Sequence, residues 1–170
     1  NIYNVEKLYL ISLGITSRKF TQDKYIFNFN VVEDVASGFV YSVTTGYQKK
    51  YDEYKFYAGG KMALGRFYKF GYLSSNLEFG TFLDLGKTNQ TATSLQLVYF
   101  TNLQEYGKWK FRHFIKPQLI VGNNRLNTNY DKLSLNEDRN GIEGFSSNTL
   151  FGTKKLLMTI QSQGYSPWRF

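Results

Sequence analysis

Apolar and polar residues alternate with a period of two along most of this chain, a pattern that strands with two unlike faces require and helices cannot use. From 38 to 48, Phe39, Tyr41, Val43, Thr45 and Tyr47 alternate with Gly38, Val40, Ser42, Thr44, Gly46 and Gln48. From 53 to 64, Tyr54, Phe56, Ala58, Met62 and Leu64 alternate with Glu53, Lys55, Tyr57 and Lys61. From 71 to 85, Leu73, Leu77, Phe79, Leu83 and Leu85 oppose Ser74, Asn76, Glu78 and Asp84, and from 93 to 103 Leu95, Leu97, Tyr99 and Leu103 oppose Ser94, Gln96 and Asn102. The clearest run is 109–122, with Trp109, Phe111, Ile115, Leu119 and Val121 on one side and Lys110, Arg112, Lys116 and Gln118 on the other. A strand is expected at 153–165 and two more near 5–20 and 24–32. Short turns are expected at Lys50-Tyr51-Asp52, Arg66-Phe67-Tyr68, Gly86-Lys87-Thr88-Asn89 and Glu105-Tyr106-Gly107-Lys108. One long connection spans about 123–150, so the expectation is about eight antiparallel strands joined mostly by hairpins.

Several runs reach about 12 residues, twice the usual 5–6 of a soluble strand and enough for a tilted strand that needs about 9–11 within lipid. Glycines and small polar residues share the charged face, which suits a wet lumen better than a dry core, where an unpaired charge costs several kcal/mol. Aromatics make up 18% of the chain. Tyr47, Tyr54, Trp109 and Trp168 fall near strand ends, where interfacial girdles form. The fold class expected is therefore all-β, an antiparallel transmembrane β-barrel over residues 1–170, placed in the bacterial outer membrane. A large soluble sheet or lipocalin-like barrel is the competing architecture. Outward Tyr41, Phe56, Leu77, Leu97 and Ile115 should meet lipid, and Lys55, Glu78, Gln96 and Arg112 should point inward.

Chemistry has few footholds here. There is no Cys and one His, His113, which lies among apolar neighbours as a packing residue. No nucleophile elbow, phosphate loop or metal-ligand spacing occurs; Gly59-Gly60 lies inside a strand, and Asp131, Glu137 and Asp138 match no calcium loop and read as solvated charges. No enzyme activity, cofactor or metal is expected. The formal charge of +8 is scattered rather than gathered in a Lys/Arg run, which fits a basic lumen or rim and not a nucleic-acid binder. The chain opens on Asn1 and closes on Ser166-Pro167-Trp168-Arg169-Phe170, and it reads as an internal fragment of something longer.

Within the long connection, Gly141-Ile142-Glu143-Gly144-Phe145 brackets a carboxylate with two glycines just before a strand, which calls for a tight turn with positive φ. Ile142-Glu143-Gly144-Phe145, the following Gly152-Thr153-Lys154-Lys155-Leu156 and the Ser166-Pro167-Trp168 turn give the segment 107–168 a resemblance to the later barrel strands of the BamA/TamA outer-membrane superfamily of insertases and translocases, in its Bacteroidetes-type versions. That family carries Val/Ile-Arg-Gly-Phe/Tyr at the tip of a sixth extracellular loop that folds into the lumen; Glu143 stands where its arginine would be. The resemblance implies a barrel of about sixteen strands, of which the first visible one is about the fifth. It also implies work on polypeptide clients, with outer-membrane lipid, lipopolysaccharide and periplasmic or lipoprotein accessory subunits as partners. Under it, Glu143 should pair with a cation on the inner face, Lys110, Arg112, Lys116 or Lys155. The runners-up are a passive porin or nutrient-uptake barrel, a barrel that anchors a fused domain, and a soluble basic β-domain that binds polyanions. A mid-barrel segment would leave its first and last strands unpaired with each other.

Overall fold

The computed structural model describes residues 6–50, 53–84, 87–125 and 131–166. Its elements are β1 (Lys7–Lys24), β2 (Val32–Lys50), β3 (Glu53–Tyr68), β4 (Gly71–Asp84), β5 (Lys87–Thr101), β6 (Gln104–Tyr106), β7 (Trp109–Asn123), β8 (Leu133–Ser134), a 3-10 turn at Glu137–Arg139, β9 (Phe151–Gly152) and β10 (Lys154–Tyr165). All pairings are antiparallel, in the order β1-β2-β3-β4-β5-β7-β10, with β6 folded back on β7 and β8-β9 forming a separate two-stranded ribbon. The sheet is open, since β1 and β10 do not pair.

The register places unlike residues on the two faces across the whole sheet. One lateral row, Ile15–Tyr41–Met62–Leu77–Leu95–Leu119–Leu156, runs through seven strands and is apolar throughout. The adjacent row on the opposite face is Gly14–Ser42–Lys61–Glu78–Ser94–Ile120–Lys155. A one-residue slip would exchange the two, so the alternation itself specifies the pairing. The ladder between β5 and β7 is interrupted beside Pro117, which has no N–H to donate. Tyr41, Phe56, Leu77, Leu97 and Ile115 lie on one face and Lys55, Glu78, Gln96 and Arg112 on the other, as expected.

Three expectations need correction. The residues near 24–32 do not form a strand: β1 runs on to Lys24, and 25–31 is the turn into a single long β2; among the described residues seven long strands and the short β6 make up an eight-stranded sheet, in line with the expected number of about eight. Tyr25 and Asn30 carry positive φ there, of 59° and 55°. The turn expected at Arg66-Phe67-Tyr68 lies later, because β3 continues through Tyr68, and Lys87–Asn89 belongs to β5. Tyr51, Asp52, Leu85, Gly86, Pro167 and Trp168 lie outside the described residues.

β2 pairs with β3 only from Gly38 onward. The end of the β1–β2 hairpin therefore projects past β3 as a two-stranded arm. It bends at Gly38, whose φ of 143° and contact with the Ser17 carbonyl leave no room for a Cβ. Beyond the bend the shielded positions change parity: Val40, Ser42 and Thr44 are half-buried in the sheet, but Glu33, Val35 and Ser37 in the arm.

Candidate functional site

The ion-paired side chains of the sheet lie on its inner face, opposite the apolar row. Lys61 and Glu78, cross-strand neighbours, form an ion pair of 2.9 Å. The Tyr57 ring lies over Gly59 and Gly80, where any Cβ would meet its hydroxyl at 2.6 Å. Beside these a cleft of about 490 Å³ is lined by Ser42, Tyr57, Lys61, Glu78, Gln90 and Arg125 among others. Tyr72 fills the space left by Gly65 in the same way and donates to the Ala36 carbonyl at 2.7 Å.

One mouth of the concavity is covered by the turn 25–31 at the tip of the bent arm. Glu33 shapes the turn by accepting from the Ile26 and Phe27 N–H groups, at 3.1 and 2.8 Å, and from the Asn28 amide at 2.9 Å. This inserts Ile26, 1% exposed, into an aromatic box of Tyr72, Phe100 and Phe114, with Val35 and Phe67 alongside. Phe27 stacks on Phe114 at 6.3 Å. Arg112, also 1% exposed, donates from Nη1 to Asp23 Oδ2 at 2.9 Å and from Nη2 to the Lys24 carbonyl at 3.1 Å, and its guanidinium lies 5.1 Å from the Phe100 ring centre. Tyr25 reaches Tyr165 on β10 at 5.1 Å, with Lys110 over its ring. The first hairpin thus touches the far side of the sheet through side chains, without strand pairing.

The long connection gathers at the other end. Asn136 clasps it, donating to the Ser147 carbonyl at 3.1 Å and accepting from the Ser147 N–H at 2.9 Å. The motif residues close a compact turn: Gly141 N–H donates to Asn136 O at 2.9 Å, Ile142 N–H to Leu135 O at 2.8 Å and Phe145 N–H to Ile142 O at 3.0 Å. Gly144 has the expected positive φ, 71°, with open space around it, whereas Gly141 is required because a Cβ would collide with the Leu135 carbonyl. Gly144→Ala is accordingly expected to weaken the loop by about 1 kcal/mol, read as about fivefold faster protease nicking within 133–150, with Gly144→Asn milder. Gly141→Ala should nick faster still; equal rates for wild type and both alanine variants would mean that these contacts do not order the loop.

The expected partners of Glu143 are otherwise engaged. Lys110 pairs with Glu105, Arg112 with Asp23, and Lys116 lies 5.5 Å from the Phe114 ring centre. Lys155 is buried and donates to the Asn140 carbonyl at 3.2 Å. Glu143 is exposed and forms no ion pair with any of the four. The carboxylate that organises this loop is instead Glu137, which accepts from the Gly144 N–H at 3.0 Å. Nor is Asp131 merely solvated, since it pairs with Arg125 at 3.0 Å, and the Arg125 side chain lies over Gly122 on the inner face. Lys155–Asn140 and Arg125 carry the loop onto the concave face in place of Glu143.

Asp23 and Glu33 were missed by sequence reasoning. Asn28 and Asn30, interleaved with Phe27 and Phe29, were the available signal, since Asn favours turns and tolerates positive φ. His113 sits on the outer face with Nδ1 2.9 Å from the Ser162 hydroxyl. Comparison with protein-family models, with curated proteins and with solved structures finds no match to this chain.

Proposed function

We propose that the chain is a wall segment of a transmembrane β-barrel in the bacterial outer membrane, and that the barrel serves as an insertase or translocase for polypeptides. The observation that carries the membrane reading is the segregation of charge. Outward positions from Tyr9 to Ser17 on β1, Phe39 to Tyr47 on β2, Tyr54 to Leu64 on β3, Leu73 to Phe79 on β4, Thr91 to Tyr99 on β5, Trp109 to Val121 on β7 and Leu156 to Ser162 on β10 contain no Asp, Glu, Lys or Arg. Many of these side chains are open, Ile15 at 65% and Leu156 at 70% among them. A soluble monomer rarely exposes contiguous apolar surface beyond a few hundred Å².

The uncharged band ends in cations at both rims, Lys7, Lys49 and Lys154 at one and Lys19 and Arg66 at the other. Lys7 and Lys19 bracket it on a single strand. Their separation in sequence corresponds to about 40 Å along the strand, or about 28 Å of membrane at a 45° tilt, close to the roughly 25 Å apolar band of such barrels. Aromatic clusters lie at both limits: Tyr47 with Phe56 at one, and Tyr68, Phe70 and Tyr99 at the other.

The insertase reading rests on the resemblance of Ile142–Phe145 and its flanking strand. It is also supported by the turn 25–31 lying across one mouth, which suits a controlled passage better than the runner-up, an open diffusion pore. With seven long strands, β1 becomes about the sixth strand of the family's barrel. Further strands would pair with the free edges of β1 and β10, and client polypeptides and accessory subunits would act at the mouths.

The absence of Cys makes single-cysteine labelling clean. Nitroxides at Met62, Leu77 and Leu119 should be reached by oxygen dissolved in lipid, and those at Gln96 and Gln118 by a water-soluble nickel reagent. Water accessibility on both faces would defeat the membrane reading. Insertion of nitroxide-labelled protein without any effect on delivery of an outer-membrane client, in cells that depend on it, would defeat the insertase reading alone.

A further inference from the structure

The bend at Gly38 opens a groove of about 470 Å³ on the outer side of the sheet, where the arm leaves β3. Its walls are Lys19 from the arm and Arg66 from β3, its floor includes Phe39, Leu64 and Leu73, and Ser17 contributes a hydroxyl. Lys19 and Arg66 are exposed, and neither forms an ion pair with any described residue. This contrasts with the inner face, where Lys61, Lys110 and Arg112 each have a carboxylate. Tyr68, which also lines the groove, stacks on Phe70 at 5.2 Å, and the Arg66 guanidinium lies 5.9 Å from the Tyr68 ring centre.

Two unneutralised cations at the border of an apolar face call for an anion that itself carries apolar chains. We infer that this groove binds the phosphate of an anionic glycerophospholipid. Arg66 provides a planar, two-pronged donor and Lys19 a point charge for the phosphate, and the Ser17 hydroxyl supplies a further donor. The acyl chains run down Phe39, Leu64 and Leu73 towards the apolar row. The inference rests on the membrane reading above. It adds lipid choice: the groove lies at the end of the sheet opposite the long connection, which the resemblance makes the periplasmic side, where glycerophospholipids rather than lipopolysaccharide form the leaflet.

The test uses the full-length protein, reconstituted in vesicles of phosphatidylcholine alone or with phosphatidylglycerol, then extracted in mild detergent for native mass spectrometry of retained lipid. Wild type should retain phosphatidylglycerol in preference to phosphatidylcholine. Lys19→Gln and Arg66→Gln should each weaken retention about fivefold, corresponding to about 1 kcal/mol per cation, while Lys108→Gln, a cation in a turn at the same end, leaves it unchanged. Insertion without a phosphatidylglycerol preference, or an equal loss with Lys108→Gln, overturns the site and leaves the membrane reading standing. Preferential retention of lipopolysaccharide in a competing preparation overturns the choice of lipid. Failure to insert in either vesicle overturns the membrane reading itself.

Discussion

Leu77→Arg is expected to destabilise the protein in bilayers by about 2–4 kcal/mol, and Gln96→Arg by less than about 1 kcal/mol. Leu77 occupies the centre of β4 and of the apolar row Tyr41–Met62–Leu77–Leu95–Leu119, with uncharged Ser75 and Phe79 as its same-face neighbours along the strand. In the proposed barrel wall a guanidinium there would enter hydrocarbon near the midplane, where barrels show that cost. Gln96 projects from the neighbouring strand to the opposite face, beside Asn76 and Gln118, where added charge remains in water. Urea titration in vesicles, followed by the heat-dependent gel migration of folded barrels, measures both. In a sheet that faced water on its outer side, Leu77→Arg would be an ordinary surface change within about 0.5 kcal/mol, and that result would reject lipid contact.

Asp23→Ala is expected to cost about 2–3 kcal/mol, more than Arg112→Met. The two halves of this ion pair differ in burial: the Arg112 side chain is 1% exposed and that of Asp23 32%. Removing the carboxylate strands a permanently charged guanidinium inside the aromatic box, where its Nε already has no partner. Breaking a buried pair in this way costs about 3–5 kcal/mol, reduced here because Asp23 is partly open to solvent. Arg112→Met removes the buried charge as well and leaves an apolar side chain beside the Phe100 ring, the type of exchange that is often neutral. The same titration measures the difference, and proteolysis within 25–31 should accelerate only in Asp23→Ala. Equal costs for the two variants would place the guanidinium in water.

The sheet was legible in the sequence because residues two apart along a strand share a face, and lateral neighbours on that face share its character. Leu156, Met158 and Ile160 announce β10 through alternation alone, and β7 reads as clearly through Phe111, Ile115 and Leu119. The arm was misread because Phe27 and Phe29 alternate with Asn28 and Asn30 as a strand would. What separates a turn from a strand there is Glu33 accepting two backbone N–H groups, which a period cannot express. In the candidate site, the cations Lys110, Arg112, Lys116 and Lys155 were correctly grouped on one face, but Arg112 is matched with an acid 89 positions away. Glu143 attracted attention by its place in the motif, whereas Glu137 holds the loop because it lies opposite the Gly144 N–H, a relation visible only after the loop has folded.

The contact of the first hairpin's tip with Arg112, Phe114 and Tyr165 is a chord drawn across an arc. Its length is set by hydrogen bonds and ring contacts, and a chord of fixed length sets the radius of the arc it spans. The separation between the free edges of β1 and β10 is therefore governed from inside the concavity, by a seven-residue turn, as well as by the twist of the strands. Anything that displaces Ile26 from its box releases the chord, so withdrawing the turn from the inner face and relaxing the curvature of the sheet become one mechanical event.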